Sequence, residues 1–306
     1  MVRLTIFTAA YNSSKHIDLT IQSIINQTFT DWEYFVFDDG STDNTKQIVA
    51  NYVDKDSRIK YFCLDHIGNP AIIRNIAIKK GSGEWFANCD HDDIWHPLKL
   101  ELQFNLIDKL KLDSIVFTAH VYFTKPNNIT NLQDLYNFLK IIQINNKENV
   151  SGYKIKNNSL LNGNYIMFSS TIVNRKVYEQ IGLLSEESKL RGIEDYEFWL
   201  RCACNGLDIF KIDEILSFWS EHEGNLSKDR TYQREQEIVR MINKARKCKN
   251  MKIEHKFNFY YSMNFMLFSI SKNRFHEKRS LFNLSKYIYF RAVFRVFVLF
   301  KKLNLF

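Results

Sequence analysis

The strongest constraint on this chain is its alternation of short buried runs with amphipathic stretches, each run ending on a polar cluster. Leu4-Thr5-Ile6-Phe7 is followed at once by Tyr11-Asn12-Ser13-Ser14, a loop carrying helix N-cap residues. Residues 16–27 then place Ile17, Ile21, Ile24 and Ile25 at helical spacing. Tyr34-Phe35-Val36-Phe37 reads as a second strand, 44–53 as helix, and Ile59-Lys60-Tyr61-Phe62 as a third strand. A helix over 70–80 starts at Pro70 and stops at Gly81-Ser82-Gly83. Glu84-Trp85-Phe86-Ala87-Asn88 is a fourth strand. Strands and helices alternating at this interval predict an open, mainly parallel α/β sheet flanked by helices. In such sheets ligands bind outside the carboxyl ends of the strands. Asn12, Asp39 and Asp90 each follow a predicted strand, so the pattern brings them to one rim.

Farther along, the sequence predicts an irregular insertion over 119–163, a strand pair and helix over 165–182, a helix near 194–205, and helices beyond 229. The expected division is a catalytic domain over 1–228 and a helical region over 229–306. A chain of 306 residues with 45% hydrophobic side chains and three prolines is folded and non-repetitive. Its five cysteines form no CxxC pair, which predicts reduced thiols in a cytosolic protein. The first residues read as a strand and not as a secretory leader.

The net charge of +8 is unevenly spread: from Lys244 onward there are 15 Lys and Arg against two acids, leaving −5 on the rest. The centre of 283–306 is apolar, aromatic and basic, with Arg291, Arg295 and Lys302 as a cationic stripe. Its uncharged run Val296–Phe300 is far shorter than the ~20 residues of a membrane span. A helix lying on an anionic membrane surface fits that pattern, and nucleic acid does not. A buried helix or a dimer contact is the alternative.

The acidic clusters carry the chemistry. In Asp90-His91-Asp92-Asp93, carboxylates at i and i+2 on a turn after a strand can divide their work. One faces a sugar hydroxyl, the other a divalent cation shared with phosphate oxygens. A lone DxD is weak evidence, because exposed turns often carry acids. Its strand context and the second cluster, Asp38-Asp39-Gly40-Ser41, make it stronger.

With these residues in view, the chain resembles a family 2 glycosyltransferase of the GT-A fold, a Rossmann-like sheet with a C-terminal helical extension. The resemblance runs from Thr5 to about Ser227. It rests on Phe7-Thr8-Ala9-Ala10-Tyr11-Asn12, Asp38-Asp39-Gly40-Ser41-Thr42-Asp43, Arg74-Asn75, Asp90-His91-Asp92-Asp93, Glu194-Asp195-Tyr196-Glu197-Phe198-Trp199-Leu200-Arg201, and His222. It departs where the family usually has a proline turn before Tyr-Asn and an Arg at the position of Ser220.

The resemblance implies a donor site made by Ala10, Tyr11, Asp39, Arg74 and Asp90. Asp39 would bond the base, usually uracil, with Tyr11 and Arg74 bordering it, and Asp90 would contact ribose. Asp92 and His222 would hold Mn²⁺ or Mg²⁺. Asp195 would be the catalytic base of an inverting reaction. Glu194 and Trp199 are the acceptor-side candidates, against a dipole role for Glu194 and a core role for Trp199. For Asp38 and Asp43 the sequence favours structural roles, orienting the turn and N-capping the next helix, over donor contact, and Asp93 either caps a helix or supports the site.

The implied function is transfer of a hexose or N-acetylhexosamine from a UDP-sugar to a glycan or lipid-linked glycan, in bacterial polysaccharide or lipooligosaccharide assembly. The enzyme would be peripheral at the inner face of the cytoplasmic membrane. Transfer to polyprenyl phosphate and a non-catalytic nucleotide-binding scaffold are the rival readings.

Overall fold

The computed structural model describes residues 2–126, 129–139, 151–222 and 232–248. Among them, strands β1 (Leu4–Ala10), β2 (Trp32–Asp38), β3 (Ile59–Cys63) and β4 (Trp85–Asn88) alternate with helices α1 (Ile17–Ile25), α2 (Thr45–Val53) and α3 (Pro70–Lys80). Beyond them come β5 (Ile94–Trp95), α4 (Lys99–Leu110), β6 (Ile115–Phe123), α5 (Leu132–Phe138) and β7 (Gly152–Lys154). The chain continues through β8 (Thr171–Asn174), α6 (Arg175–Ile181), α7 (Glu194–Cys204), β9 (Ile209–Ser220) and α8 (Tyr232–Ala245). All nine strands join one sheet in the order β3-β2-β1-β4-β8-β6-β9-β5, with β7 also on β9.

The fold is the expected α/β sheet with flanking helices. It is parallel through β3, β2, β1 and β4. Past β4 it turns mixed: β8 runs antiparallel to β4 and β6, while β6 and β9 run parallel.

Both faces are buried, so strand residues alternate between two cores. Phe7, Phe35, Phe37 and Phe86 face α3, α6, α7 and α8, while Leu4, Ile6, Trp32, Tyr34, Val36 and Ala87 face α1, α2 and α4. Helix starts follow local chemistry. Asn69 accepts from the Ala71 N–H at 3.1 Å ahead of Pro70, and Asn174 caps α6 through Lys176 N at 3.0 Å.

Two expectations change. The 119–163 segment is not irregular throughout: His120 to Phe123 complete β6, and α5, β7 and a 3₁₀ stretch at Asn157–Asn162 follow. Its register to β9 slips between Thr118 and His120, which blurs the two-residue periodicity that marks a strand in sequence. The strand pair near 165–182 is one strand, β8, entered through a 3₁₀ turn at Phe168–Ser170. The helix α8 is the described part of the C-terminal region; residues 283–306 lie outside the described residues. No described helix is long and apolar enough to cross a membrane.

Candidate active site

The parallel strands β1, β2, β3 and β4 end on one rim, and the loops after them meet there. Asn12, in the left-handed region at φ 47°, stitches the first two loops together: its N–H donates to Ser41 Oγ and its Oδ1 accepts from Thr42 N, both at 2.9 Å. Asp38 orients its own turn, accepting from Ser41 N at 2.8 Å and from the Tyr61 hydroxyl at 2.6 Å. Asp43 accepts from Ser14 N and Thr45 N. Burial opposes its charge, but the Ser14 and Thr45 hydrogen bonds hold its carboxyl down at about 2.

Asp39 is buried, and its N–H donates to the Ala10 carbonyl at 2.8 Å, which places Ala10 beside it where β1 and β2 end. The Asp39 carboxylate accepts from Ile67 N at 2.6 Å and Gly68 N at 2.8 Å. That leaves about two of its roughly four lone-pair positions for a ligand. The imidazole of His66 in the same loop stacks on Tyr11, with ring centroids 4.3 Å apart. His66 belongs to none of the acidic motifs, yet it too follows a strand, β3, at the same rim. Gly40, at φ +77°, lets this loop approach: a Cβ there would sit 3.2 Å from His66 N.

Arg74 meets partners that its place in the sequence does not indicate: it lies buried between two carboxylates, with Nη1 2.5 Å from Glu194 Oε1 and Nη2 2.8 Å from Asp90 Oδ1. Burial disfavours its charge, and Asp90 and Glu194 hold it protonated. Asp90 Oδ1 also accepts from Asn88 Nδ2 at 2.8 Å, and Asp90 N donates to Ser169 Oγ at 3.0 Å. Glu194 takes its second contact from Gly192 N. So placed, Glu194 is a strut between the Asp90 turn and the start of α7. Trp199 is corrected to a core residue: it is fully buried, and its indole N–H donates to the Ile166 carbonyl at 3.3 Å.

Asp195 is half-buried on the first turn of α7. It accepts from Tyr196 N at 2.6 Å and from Asn164 Nδ2 at 3.1 Å. Burial first and the Glu194 charge second push its carboxyl up to about 7, against the pull of Arg74. Asn164 was not foreseen, because nothing local in 162–166 marks it.

At the other end of the cluster, Asp92 Oδ2 lies 2.7 Å from His222 Nε2. Burial opposes the Asp92 charge, but His91 and His222 keep its carboxyl below the ordinary range. His222 stacks on His16 at 4.6 Å, and burial followed by His222 pushes His16 down to about 4. Asp93 caps no helix: fully buried, it accepts from Ser220 N at 3.3 Å and so ties β9 to this turn. Burial and then the charges of Asp92 and Asp90 push its carboxyl well up. Among the described residues no three His, Cys, Asp or Glu side chains group as a self-sufficient metal cage. Asp92 and His222 fit a cation that takes its remaining ligands from substrate phosphates.

The chain belongs to glycosyl transferase family 2, whose profile it matches over residues 5–182. It is thus a glycosyltransferase with the GT-A architecture. It is 31% identical over 202 residues to an uncharacterized glycosyltransferase of Haemophilus influenzae, covering 66% of this chain and 72% of that one. It is 39% identical over 106 residues to the Escherichia coli UDP-Glc:alpha-D-GlcNAc-diphosphoundecaprenol beta-1,3-glucosyltransferase WfgD, covering 35% of this chain and 41% of that one. Among solved structures, S. aureus TarS 1–349 in complex with UDP-GlcNAc superposes with a TM-score of 0.68 at 22% identity, covering 95% of this chain and 80% of that one. The mannosyltransferase PcManGT of Pyrobaculum calidifontis, in complex with GDP-Man and Mn²⁺, gives 0.61 at 16% identity, covering 97% and 84%.

Proposed function

We propose that this enzyme transfers a hexosyl or N-acetylhexosaminyl group from a UDP-sugar to a lipid-linked glycan, with inversion, in bacterial surface-polysaccharide assembly. The observation that carries the reading is Asp195: a carboxyl pushed up to about 7, tied through Glu194 and Arg74 to Asp90 on the donor rim. A base with that affinity for protons is matched to neutral pH. Asp195 takes the proton from an acceptor hydroxyl as that oxygen bonds to the anomeric carbon. The bond from that carbon to the diphosphate oxygen breaks on the opposite face, and UDP leaves with the electron pair.

Asp92 and His222 are the residues that would hold a divalent cation, which when bound neutralises charge on the departing diphosphate. The Mn²⁺ complex of PcManGT is consistent with this assignment, as is the UDP-GlcNAc complex of TarS with a UDP donor. Asp39, with Tyr11 and His66 beside it, is suited to the nucleoside, and Asp90 to the ribose. The lipid-linked acceptor is argued from the WfgD name and from the basic aromatic stretch 283–306, which suits an anionic membrane surface.

The test is a donor screen with UDP- and GDP-sugars, followed by NMR of the product anomer. UDP-sugar turnover with inverted configuration, lost in Asp195→Asn, is the expected result. Retained configuration, or an Asp195→Asn enzyme as fast as the wild type, would overturn the mechanism.

A further inference from the structure

The C-terminal ends of β6 and β9 carry an aromatic row that neither the donor site nor the core uses. Tyr122 is 56% exposed although it sits within a strand. Its ring lies 4.7 Å from that of Trp219, its register partner on β9, and 5.4 Å from that of His120 two residues earlier. Trp219 and His120 are themselves part-exposed. The neighbours that point the other way, Phe123 and Phe218, are buried in a cluster with Leu19, Ile94, Leu132 and Leu135. These two strands therefore satisfy their packing with one face and keep three rings on the other. Contiguous exposed apolar surface rimmed by polar groups is a mark of binding sites, and aromatic rings with a polar handle suit such surfaces.

The row is joined to the reaction centre by short covalent and hydrogen-bonded steps. Three residues after Trp219 comes His222, which pairs with Asp92, and Ser220 N donates to Asp93. Ser217 is the register partner of both His120 and Trp95, so Trp95 lies on the same face of the sheet. The Trp95 indole donates to the Ser169 carbonyl at 2.7 Å, and Ser169 Oγ accepts from Asp90 N. The three rings thus share a sheet face with Trp95, on strands that lead directly to the Ser220–Asp93 and His222–Asp92 contacts of the acidic turn.

We propose that Tyr122, Trp219 and His120 form the platform on which a neutral pyranose ring of the acceptor stacks. This deepens the glycosyl-transfer reading and rests on it. A pyranose presents a face of C–H bonds to aromatic carbon and a rim of hydroxyls to polar groups. Glu221, held by its N–H to the Phe123 carbonyl at 2.7 Å and close enough to Tyr122 to act on it electrostatically, supplies an acceptor at that rim. The same carboxylate disfavours an acidic sugar, and Lys211, whose charge reaches His120, is already paired with Asp213, so the platform suits a neutral occupant.

The tryptophans make a direct test available. Trp32, Trp85, Trp95 and Trp199 are at most 1% exposed, which leaves Trp219 as the part-exposed indole. Acrylamide quenching of the full chain therefore reads mainly Trp219, and Trp219→Phe is the control for that attribution. Methyl glucoside, methyl galactoside and methyl N-acetylglucosaminide are the probes, used without donor.

Protection from quenching by at least one glycoside, lost in Tyr122→Ala, supports the platform. The same variant should raise acceptor KM about ten-fold, the loss of one aromatic contact, with UDP-sugar hydrolysis unchanged. Absence of protection by all three, protection undiminished in Tyr122→Ala, or protection by 1-octanol and not by the glycosides would overturn it. Because binding is read without donor, a failure of UDP-sugar turnover in the wild type would instead count against the proposed function.

Discussion

Replacing Asp195 with Asn separates two consequences of a carboxyl whose proton affinity is raised to about 7. In the unfolded chain the same group titrates near 3.8. Between these values the native state holds a proton that the unfolded state has released, so wild-type stability falls as pH rises through this window and levels off above 7. The full shift corresponds to on the order of 4 kcal/mol, reduced by the solvent that still reaches this half-buried group. From about pH 5.5 to about pH 8 the window contributes roughly 2 kcal/mol.

The Asn variant loses this pH dependence. It also loses about 1 kcal/mol at every pH, because an amide presents one oxygen to two donors, Tyr196 N and Asn164 Nδ2. Urea unfolding at both pH values therefore shows the variant gaining on the wild type by up to ~2 kcal/mol as pH rises, while its turnover drops at least about 10²-fold. Parallel stability curves, separated by a constant offset, would refute the burial argument for Asp195. A wild-type level of turnover would refute its role as base.

Four further outcomes follow from the same geometry. Arg74→Met leaves Asp90 and Glu194 facing each other without their cation; chemical denaturation should register a loss of about 3–5 kcal/mol, partly recovered in Arg74→Met/Glu194→Gln. The logarithm of kcat/KM should fall with unit slope below about pH 7, because Asp195 must be ionised to accept a proton, and a flat profile down to about pH 5 would exclude it. Gly40→Ala meets both a positive φ and the His66 backbone, so a thermal melt should show about 1–2 kcal/mol of destabilisation together with weaker UDP binding by calorimetry. Removal of divalent cations by EDTA should abolish turnover and Mn²⁺ or Mg²⁺ should restore it, with His222→Ala needing more Mn²⁺ for half-recovery; activity indifferent to EDTA would remove Asp92 and His222 from that role.

Much of the N-terminal half was legible in the sequence. Buried runs such as Tyr34 to Phe37, the Pro70 start and Gly81 stop of α3, and the polar residues closing each strand are local signals. A parallel sheet converts them into a common rim by geometry alone. Asn12, Asp39, Asp90 and Asp92 therefore arrive at one site from their positions in the sequence, and Asp195 through its resemblance to the family motif.

What only the tertiary structure decided is which partner each side chain meets. Charge and spacing do not reveal that Arg74, paired with nearby Asp90, also reaches Glu194 across 120 residues of chain, or that Asn164 reaches Asp195. Nor do they tell which tryptophan reaches solvent: Trp199, four residues after Asp195, is core, and Trp219 on a distant strand is part-exposed. Periodicity fixes the faces of an element, but burial of a face depends on what packs over it, and long-range packing leaves no local trace in the residues themselves.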